Sequence, residues 1–243
     1  MMKRGQSEPF VPWYMQEEIV TRYESWYQGP EGERMDRLEK TLLRRLLAGF
    51  PTAHSLLEVG CGTAHFTRWF ATELGLSATG LDLSPLMIRE ARKYWQGPLV
   101  LGDAMDLPFT DKSFDLVAFI ASFEYIPDPR RALREAARVA RQGLILGLMN
   151  RWSLPTLRRR LQELFGKNPF YKNAHFYSLG EIRRLLHDAL GDRLMRIEWR
   201  ATLFPRFLPL EEATISVGGA FLGLAVHLKG GDHGRVPDPG QDR

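Results

Sequence analysis

The sequence predicts an α/β protein with a doubly wound, mostly parallel sheet that is covered by helices on both faces. Five short apolar segments between residues 55 and 149 alternate with segments of helical spacing. Ser84 and Asp128 are each followed by a proline, which is the pattern of a helix N-cap. Strands this short and apolar are typical of parallel sheets that are buried on both sides. The sequence therefore favours this fold class over an all-helical or all-β one.

The elements follow in order along the chain. Residues 1–50 form what we call the cap region, with an aromatic segment expected to pack back on the body and a helix over 31–49. Strands are predicted at 55–59, 77–81, 98–101, 114–120 and 143–149. The helices predicted between them span 64–74, 84–94 and 128–140. This alternation places the carboxyl ends of the strands at one edge, where ligands of such sheets bind.

The carboxyl-terminal part departs from that rhythm. Residues 150–177, which we call the insertion, are predicted to act as a lid that recognises the substrate. After a helix that begins with a capping box at Ser178, strands over 193–203 and 213–228 are expected to finish the sheet as an antiparallel pair. We expect one domain over residues 1–229 and a flexible tail over 230–243.

Composition excludes several protein classes. The chain has 243 residues, one cysteine and a net charge of +4, so a secreted fold held by disulfides is excluded. The start has no apolar run for a signal peptide, and the apolar stretch 213–228 is too short to span a bilayer. We therefore expect a cytoplasmic protein. The run Arg158–Arg160 could recognise an acidic group or an anionic membrane surface, although the solvated side of an amphipathic helix is favoured.

The first candidate site is the turn Gly60-Cys61-Gly62 directly after the first strand. Glycines let the backbone turn tightly and approach a ligand, and the next helix offers free N–H groups. The fingerprint of nicotinamide dinucleotide sites requires a glycine at the position of His65, so that fingerprint fails. Cys61 has no histidine or second cysteine at metal-binding spacing, so we expect no metal site there.

Two carboxylates follow the next two strands. Asp82 ends the second strand, 20 residues after Gly62, where an acidic side chain can accept both hydroxyls of a ribose. Because Ser84 already serves as the helix cap, a ligand role for Asp82 is favoured over a capping role. Asp103 follows the third strand, where a carboxylate can accept the amino group of an adenine.

Four blocks extend these features over residues 55–149: LLEVGCGTAHFTRWFA, ATGLDLSPLMIREAR, GDAMDLPFTDKSFDLVAF and FEYIPDPRRALREAARVAR. In their order and spacing the sequence resembles the class I S-adenosylmethionine-dependent methyltransferases, of the small-molecule type related to quinone-biosynthesis methyltransferases. The resemblance continues through FYSLGEIRRLLHDAL and the last two strands. It implies a Rossmann-like, seven-stranded sheet with an antiparallel last strand. It also implies S-adenosyl-L-methionine as cofactor and S-adenosyl-L-homocysteine as product.

The resemblance also implies which residues hold the cofactor. Residues at the end of the first strand and in the turn after it would line its methionine part: Glu58, Gly60, Cys61 and Gly62. Residues after the next two strands would hold the ribose and the adenine: Asp82, Leu83, Asp103, Ala104 and Met105. Residues at the end of the fourth strand would pass beneath it: Phe119, Ile120 and Ala121. Two positions depart from the family pattern: Ala64 replaces a third glycine, and Phe123-Glu124-Tyr125 stands where many relatives carry two histidines.

The residues that act on the acceptor are less well defined. Four side chains are candidates for a base: His175, Glu124, Tyr125 and Tyr177. An ordinary loop role for His175 is at least as well supported. Four rings of the cap region are candidates for the acceptor pocket or for a cover over the cofactor: Tyr14, Tyr23, Trp26 and Tyr27. Core packing is the alternative role for these rings. Tyr177 is a further candidate for the acceptor pocket.

Three functions remain open from the sequence. The favoured one is methyl transfer to a small organic acceptor by in-line displacement. Methylation of RNA or protein is the first alternative, but the chain has neither a strong basic patch nor an Asn-Pro-Pro-Tyr motif. A non-catalytic relative that binds S-adenosylmethionine, or a nicotinamide-dependent oxidoreductase, is the third, and His65 argues against the oxidoreductase. The sequence leaves the oligomeric state open.

Overall fold

The structure is a computed structural model that describes residues 11–153, 156, 174–205 and 210–230. The strands are β1 (Ser55–Val59), β2 (Ser77–Asp82), β3 (Leu99–Leu101), β4 (Phe114–Ile120), β5 (Ala140–Met149), β6 (Leu194–Thr202), β7 (Glu212–Ala213) and β8 (Phe221–Leu228). The helices are α1 (Glu17–Tyr23), α2 (Pro30–Leu47), α3 (His65–Thr72), α4 (Pro85–Ala91), α5 (Pro129–Val139) and α6 (Leu179–Leu190). Short 3₁₀ turns occupy Trp13–Met15, Glu24–Gln28, Phe123–Tyr125 and Gly191–Arg193.

The eight strands form one sheet in the order β3-β2-β1-β4-β5-β8-β6-β7. The first five strands in this order are parallel, whereas β8 runs antiparallel to both β5 and β6. The predicted doubly wound α/β class with an antiparallel strand pair at the end is confirmed. Because the order turns back between β1 and β4, the carboxyl ends of these two strands flank the crevice where such sheets bind ligands.

One predicted strand is divided. The segment expected as a single strand over 213–228 contains β7, a two-residue edge strand, and β8, which begins at Phe221. Between them, Gly218 has a φ of +98°, and a Cβ on Gly219 would lie 2.7 Å from the Thr202 carbonyl oxygen. The backbone therefore turns at these glycines, and the sheet has eight strands where seven were expected.

The predicted helix starts are present. Ser84, Asp128 and Ser178 accept backbone N–H groups three residues further on, at 3.2, 3.0 and 3.3 Å respectively. Such a cap contributes about 1 kcal/mol, because it satisfies an N–H group that has no partner within the helix. These caps fix where α4, α5 and α6 leave the carboxyl edge of the sheet.

Two apolar layers cover the sheet. On one face, α5 and α6 pack on residues such as Val117 and Leu146, and on the other face α2 and α3 pack on residues such as Leu116 and Ile145. A third, smaller cluster joins the cap region to α4 through Trp13, Val20 and Met87. The aromatic segment of the cap region thus packs back on the body as expected.

Several expectations fall on parts of the chain that the structure does not describe. Most of the insertion, including Arg158–Arg160, lies outside the described residues, and so do residues 1–10 and 231–243. Within the described part of the chain, no helix combines the length and apolar character required to cross a membrane.

Candidate functional site

The turn after β1 is built from left-handed backbone. Gly60, Gly62 and Ala64 have φ values of +75°, +54° and +61°. A Cβ on Gly60 would lie only 2.4 Å from the Cβ of Ser122, whose hydroxyl donates to the Val59 carbonyl oxygen at 2.7 Å. Glycine is therefore required at position 60 for both space and conformation. Ala64 adopts the left-handed conformation of the glycine it replaces, at a cost of about 1–2 kcal/mol.

Asp82 is fixed by the backbone around it. Its carboxylate accepts the Gly62 N–H at 2.8 Å and the Ser84 N–H at 2.8 Å, and the residue is 8% exposed. Burial raises the pKa of Asp82, although these backbone N–H groups oppose the shift. Beside it, Leu83 is 51% exposed, so a large apolar side chain stands open next to a buried carboxylate. This pairing suits a ligand that carries two neighbouring hydroxyl groups and a flat apolar group.

Glu58 is the second buried carboxyl group of this site. It is 2% exposed and accepts a hydrogen bond from the Thr67 hydroxyl. Burial raises the pKa of Glu58 to about 8. The group is therefore mostly protonated near neutral pH, and a cationic ligand beside it would favour its ionised form.

A cleft runs along the carboxyl ends of β1, β2 and β4. Eleven of the twelve residues expected to hold a cofactor line it: Glu58, Gly60, Cys61, Gly62, Asp82, Leu83, Asp103, Ala104, Met105, Ile120 and Ala121. Phe119 does not line this cleft. It is fully buried and packs edge to face on Phe123, with ring centroids 5.3 Å apart, because successive residues of β4 point to opposite faces.

A second cavity of about 590 Å³ opens beside the cleft under the cap region. Six residues line both spaces: Trp13, Tyr23, Tyr27, Phe66, Ala121 and Tyr125. We call these six residues the shared wall. The rest of the second cavity comes from α1, the 3₁₀ turn Glu24–Gln28, α2, and residues at or beside the ends of β5, β6 and β8. Its charged members are Glu18, Arg22 and Glu39. The second cavity is therefore mainly apolar and aromatic, and its carboxylates outnumber its cations.

Ring contacts hold the shared wall together. Trp13 stacks on Tyr23 with centroids 5.3 Å apart, and meets Tyr125 edge to face at 5.9 Å. Tyr27 lies flat on the His65 ring, with centroids 3.7 Å apart and planes 5° apart. Such pairs contribute about 0.5–1.5 kcal/mol each beyond their buried area. Since two of these contacts join the cap region to the turn after β4 and to the start of α3, the wall depends on the cap region being closed.

The base candidates are divided among different places. Only Tyr125 of the four lines the cleft and the second cavity. His175 and Tyr177 line a separate cavity, where His175 Nε2 lies 2.6 Å from Glu181 Oε1. Their expected roles in catalysis and in acceptor binding lack support from this geometry.

Glu124 lies in the interior behind the shared wall. Its Oε1 accepts the Met149 N–H at 2.5 Å, and its Oε2 has no hydrogen-bond partner among the described residues. Burial raises the pKa of Glu124 to about 7. The residue lines neither the cleft nor the second cavity, so direct contact with a ligand is not indicated.

The rings expected to bind an acceptor also separate. Tyr23 and Tyr27 belong to the shared wall. Trp26 lines the second cavity but not the cleft, and Tyr14 lines the cleft but not the second cavity. Tyr14 is held by its backbone, since its carbonyl oxygen accepts the Ser84 hydroxyl at 2.5 Å. Tyr14 therefore belongs with the cover of the cleft.

Sequence reasoning missed part of the second cavity. Met149 and Phe221 reach it from the end of β5 and the start of β8, and Phe66 reaches it from α3. The antiparallel pairing of Met149 with Phe221 brings these two residues together. A search for apolar residues at strand ends could have found both, whereas nothing in the local sequence marks their partner across the sheet.

Comparison with known proteins identifies related chains. Residues 57–147 match a family described as "Methyltransferase domain". The malonyl-[acyl-carrier protein] O-methyltransferase of Pectobacterium atrosepticum is 31% identical over 199 residues, which cover 78% of this chain and 75% of that protein. An uncharacterized protein of Methanocaldococcus jannaschii, MJ1123, is 27% identical over 216 residues, or 86% of this chain and 97% of that one.

A solved structure agrees with these sequence matches. The crystal structure of an S-adenosylmethionine-dependent methyltransferase of Thermotoga maritima, described as a possible histamine N-methyltransferase, has a TM-score of 0.65 and 29% identity. The match covers 89% of this chain and all of that one. The names of these two relatives differ in the acceptor atom: oxygen in the Pectobacterium enzyme, and nitrogen in the reaction given as possible for the Thermotoga protein.

Proposed function

The chain belongs to the S-adenosylmethionine-dependent methyltransferases, and on this premise we propose that it methylates a small, largely apolar organic molecule. The acceptor would occupy the second cavity, with the cofactor in the cleft. One observation carries the proposal: the two spaces meet along the shared wall. A methyl group has to pass between two ligands that are almost in contact, and a common wall is the place where this contact is possible.

The chemistry of the cleft fits the cofactor. The carboxyl groups of Glu58 and Asp82 and the exposed side chain of Leu83 line this cleft, which supports a ligand with an amino-acid part, a ribose and an adenine. A side chain at Gly60 would fill the turn that the cofactor approaches. We propose that Gly60, Cys61 and Gly62 contact the methionine part, and that residues 103–105 frame the adenine edge.

S-adenosylmethionine, when bound, supplies a methyl group on a sulfonium that is already activated for displacement. The work left to this chain is to hold the acceptor in line, to exclude water and to accommodate a proton where the acceptor loses one. We propose that the rings of the shared wall exclude water. Tyr125 is the base candidate that lies on this wall, and we propose that its phenol hydrogen-bonds the acceptor.

The second cavity narrows the class of acceptor. Its volume of about 590 Å³ suits a small organic molecule. Glu18 and Glu39 outnumber Arg22 in its lining, so an anionic acceptor would meet net repulsion. We therefore propose a neutral or cationic acceptor with an aromatic or aliphatic body. A nucleic acid or a protein is less favoured, because it would need an open, basic or extended surface.

The first experiment is a calorimetric titration of the purified protein with S-adenosylhomocysteine, with NADH as the control ligand. We expect binding of S-adenosylhomocysteine with a Kd in the micromolar range and no binding of NADH. Binding of NADH alone would contradict the proposal, and binding of neither ligand by folded protein would indicate a relative without function as a methyltransferase.

The second experiment identifies the acceptor class. The protein is incubated with S-adenosylmethionine labelled in the methyl group and with 2-naphthol, 2-naphthylamine or 2-naphthoic acid, which share one ring system and differ in the polar group. Label in the phenol or amine product, and none in the acid, is the expected result. Total tRNA and a mixed protein extract are tested in parallel, and preferential labelling of either would support the alternative function.

A further inference from the structure

His65 connects the cap region to the cleft. Its Nε2 lies 2.7 Å from Asp36 Oδ1 on α2, and its Nδ1 lies 3.5 Å from Glu24 Oε1 on the second turn of the cap region. The Tyr27 ring covers the imidazole face at a centroid distance of 3.7 Å. His65 itself begins α3, directly after the glycine turn. One ring thus touches α2, the turn that carries Tyr27, and the element that shapes the cofactor site.

The charges around this ring come from every element that packs on it. Asp36 and Glu24 are the carboxylates next to it, with Glu58 acting on it from β1 at longer range. Two cations oppose its protonation: Lys40 Nζ lies 3.2 Å from Nε2, and Arg68 Nη2 lies 3.5 Å from Nδ1. The same two cations pair with the carboxylates, since Lys40 contacts Asp36 at 2.7 Å and Arg68 contacts Glu24.

The balance favours the imidazolium. Burial lowers the pKa of His65, but its hydrogen bond to Asp36 and its contact with the Glu24 carboxylate outweigh burial and raise this pKa above its ordinary value. Burial also raises the pKa of Glu24, whereas His65, the Thr63 hydroxyl at 2.6 Å and Arg68 together lower it to about 2. Glu24 is only 7% exposed, so a loss of the cation beside it would leave a buried carboxylate with one partner fewer.

We propose that His65 is a positioning residue of the methyltransferase, which holds the cap region closed over the cofactor cleft by presenting two N–H groups to Glu24 and Asp36 and a flat face to Tyr27. Lys40 and Arg68 each pair with one of these carboxylates, whereas the doubly protonated ring presents an N–H group to both and so links α2 to the turn that carries Tyr27. Tyr27 is part of the shared wall, so His65 shapes the acceptor side through Tyr27 and the cofactor side through the start of α3. This inference goes beyond the proposed function, although the ligands named in it rest on that function.

The sign of the pH dependence follows from the raised pKa. The contact that His65 makes in the closed state is complete below the ordinary histidine pKa of about 6.5, and it is lost as the pH rises through the raised value. The cap region should therefore open more often at alkaline pH. Glu24 and Asp36 do not titrate in this range, since the pKa of each is lowered.

The test measures hydrogen exchange of the cap region by mass spectrometry in the full chain without cofactor, from pH 6 to pH 9, after correction for the intrinsic rate. Peptides from β4 and β5 serve as the internal reference. In the unchanged protein we expect residues 16–28 to lose about tenfold in protection as the pH rises, while the reference peptides do not change. His65→Gln should lack this protection at every pH, and Asp36→Asn should move the midpoint to lower pH, since Asp36 raises the pKa of His65.

His187→Gln is the matched control, because His187 lies on the exposed side of α6. It should reproduce the unchanged protein. Equal protection of the cap region in His65→Gln and in the unchanged protein, or a midpoint unmoved in Asp36→Asn, would overturn the proposal. If His65→Gln does not fold, the Asp36→Asn shift decides the outcome alone.

A titration with S-adenosylhomocysteine separates this proposal from the function. At pH 6.5 we expect His65→Gln to bind it about tenfold more weakly, with faster dissociation. Failure of the unchanged protein to bind would count against the proposed function, whereas the exchange experiment, which uses no ligand, would still decide the role of His65.

Discussion

The cofactor cleft and the second cavity are neighbours built in opposite ways. In the cleft, backbone groups hold the key side chains: Asp82 is fixed by N–H groups of Gly62 and Ser84, and Gly60 leaves no room for a side chain. The second cavity is held by ring contacts within the cap region, between Trp13 and Tyr23, and between the cap region and the turn after β4, between Trp13 and Tyr125. Backbone contacts survive most substitutions, whereas ring contacts change with every residue. Substitutions should therefore alter the second cavity more readily than the cleft.

The largest loss of cofactor binding is expected from the addition of one methyl group at position 60. Gly60→Ala would bring a Cβ to 2.4 Å from the Ser122 Cβ at a φ of +75°. We expect calorimetry to show about 100-fold or more loss of affinity for S-adenosylhomocysteine, equivalent to about 2.8 kcal/mol. Gly75→Ala is the control, since Gly75 has a φ of +68° with nothing within 4 Å. Equal effects of the two variants would mean that backbone strain, and not the closed space of the turn, is responsible.

Removal of the Asp82 carboxylate should weaken the binding of S-adenosylhomocysteine less than Gly60→Ala does. Asp82→Ala deletes a group that we propose accepts the ribose hydroxyls, and such a hydrogen bond contributes about 1.5–3 kcal/mol. The affinity for S-adenosylhomocysteine should fall about tenfold or more. Asp111→Ala, in which the lost side chain is 76% exposed, should leave the affinity unchanged. An unchanged affinity in Asp82→Ala would show that the ribose lies elsewhere.

The pKa of Glu58 gives a pH-dependent test. With the pKa raised to about 8, the free protein must ionise Glu58 before it can pair with the ammonium group of the ligand. The ratio of the affinities of the unchanged protein and Glu58→Gln should therefore rise with pH, at most tenfold per unit, and level off near pH 8. A constant ratio would exclude contact between Glu58 and the ammonium group.

The contribution of Glu58 to the stability of the folded protein should fall as the pH rises, whereas its contribution to ligand affinity should increase. A carboxyl group whose pKa is raised on folding stabilises the folded state below its ordinary pKa, and this contribution is lost as the pH rises toward about 8. Thermal unfolding should therefore show that Glu58→Gln gains in Tm relative to the unchanged protein between pH 5 and pH 8. An equal difference in Tm at both pH values would contradict the raised pKa.

The smallest effect on the cofactor is expected from the second cavity. Trp26 lines this cavity but not the cleft, and its ring meets the Tyr27 ring edge to face with centroids 5.1 Å apart. Trp26→Ala should leave the affinity for S-adenosylhomocysteine within about twofold, while 2-naphthol binds about fivefold more weakly, or about 1 kcal/mol. Trp152→Ala is the control, because Trp152 is 59% exposed and lines neither space. Weaker binding of both ligands by Trp26→Ala would show that Trp26 supports the cleft as well as the second cavity.

The sequence predicts the cleft better than the second cavity for a physical reason. Apolar segments with fixed periods, and polar caps such as Ser84, are local signals that specify the strand ends and so the positions of Asp82 and Asp103. Side-chain direction at a strand end depends on register, and here Phe119 turns into the core while Ile120 lines the cleft. The sequence pattern did not resolve this one-residue difference.

The second cavity depends on contacts between distant segments. His65 illustrates the limit, because in the sequence it only excludes a nicotinamide fingerprint, whereas in the fold it meets Asp36 and Glu24, which lie 29 and 41 residues before it in the chain. The roles expected for His175 and for the insertion stay predictions, and the insertion lies largely outside the described residues.

The shared wall has a thermodynamic consequence. Tyr23 and Tyr27 line both the cleft and the second cavity. With cofactor and acceptor bound there as proposed, any ordering of these rings by one ligand changes the free energy with which the other binds. Linkage makes this cooperativity reciprocal: the factor by which the cofactor strengthens the acceptor is the factor by which the acceptor strengthens the cofactor. Transfer of the methyl group converts both ligands into products at once, and with positive coupling the release of either product weakens the binding of the other.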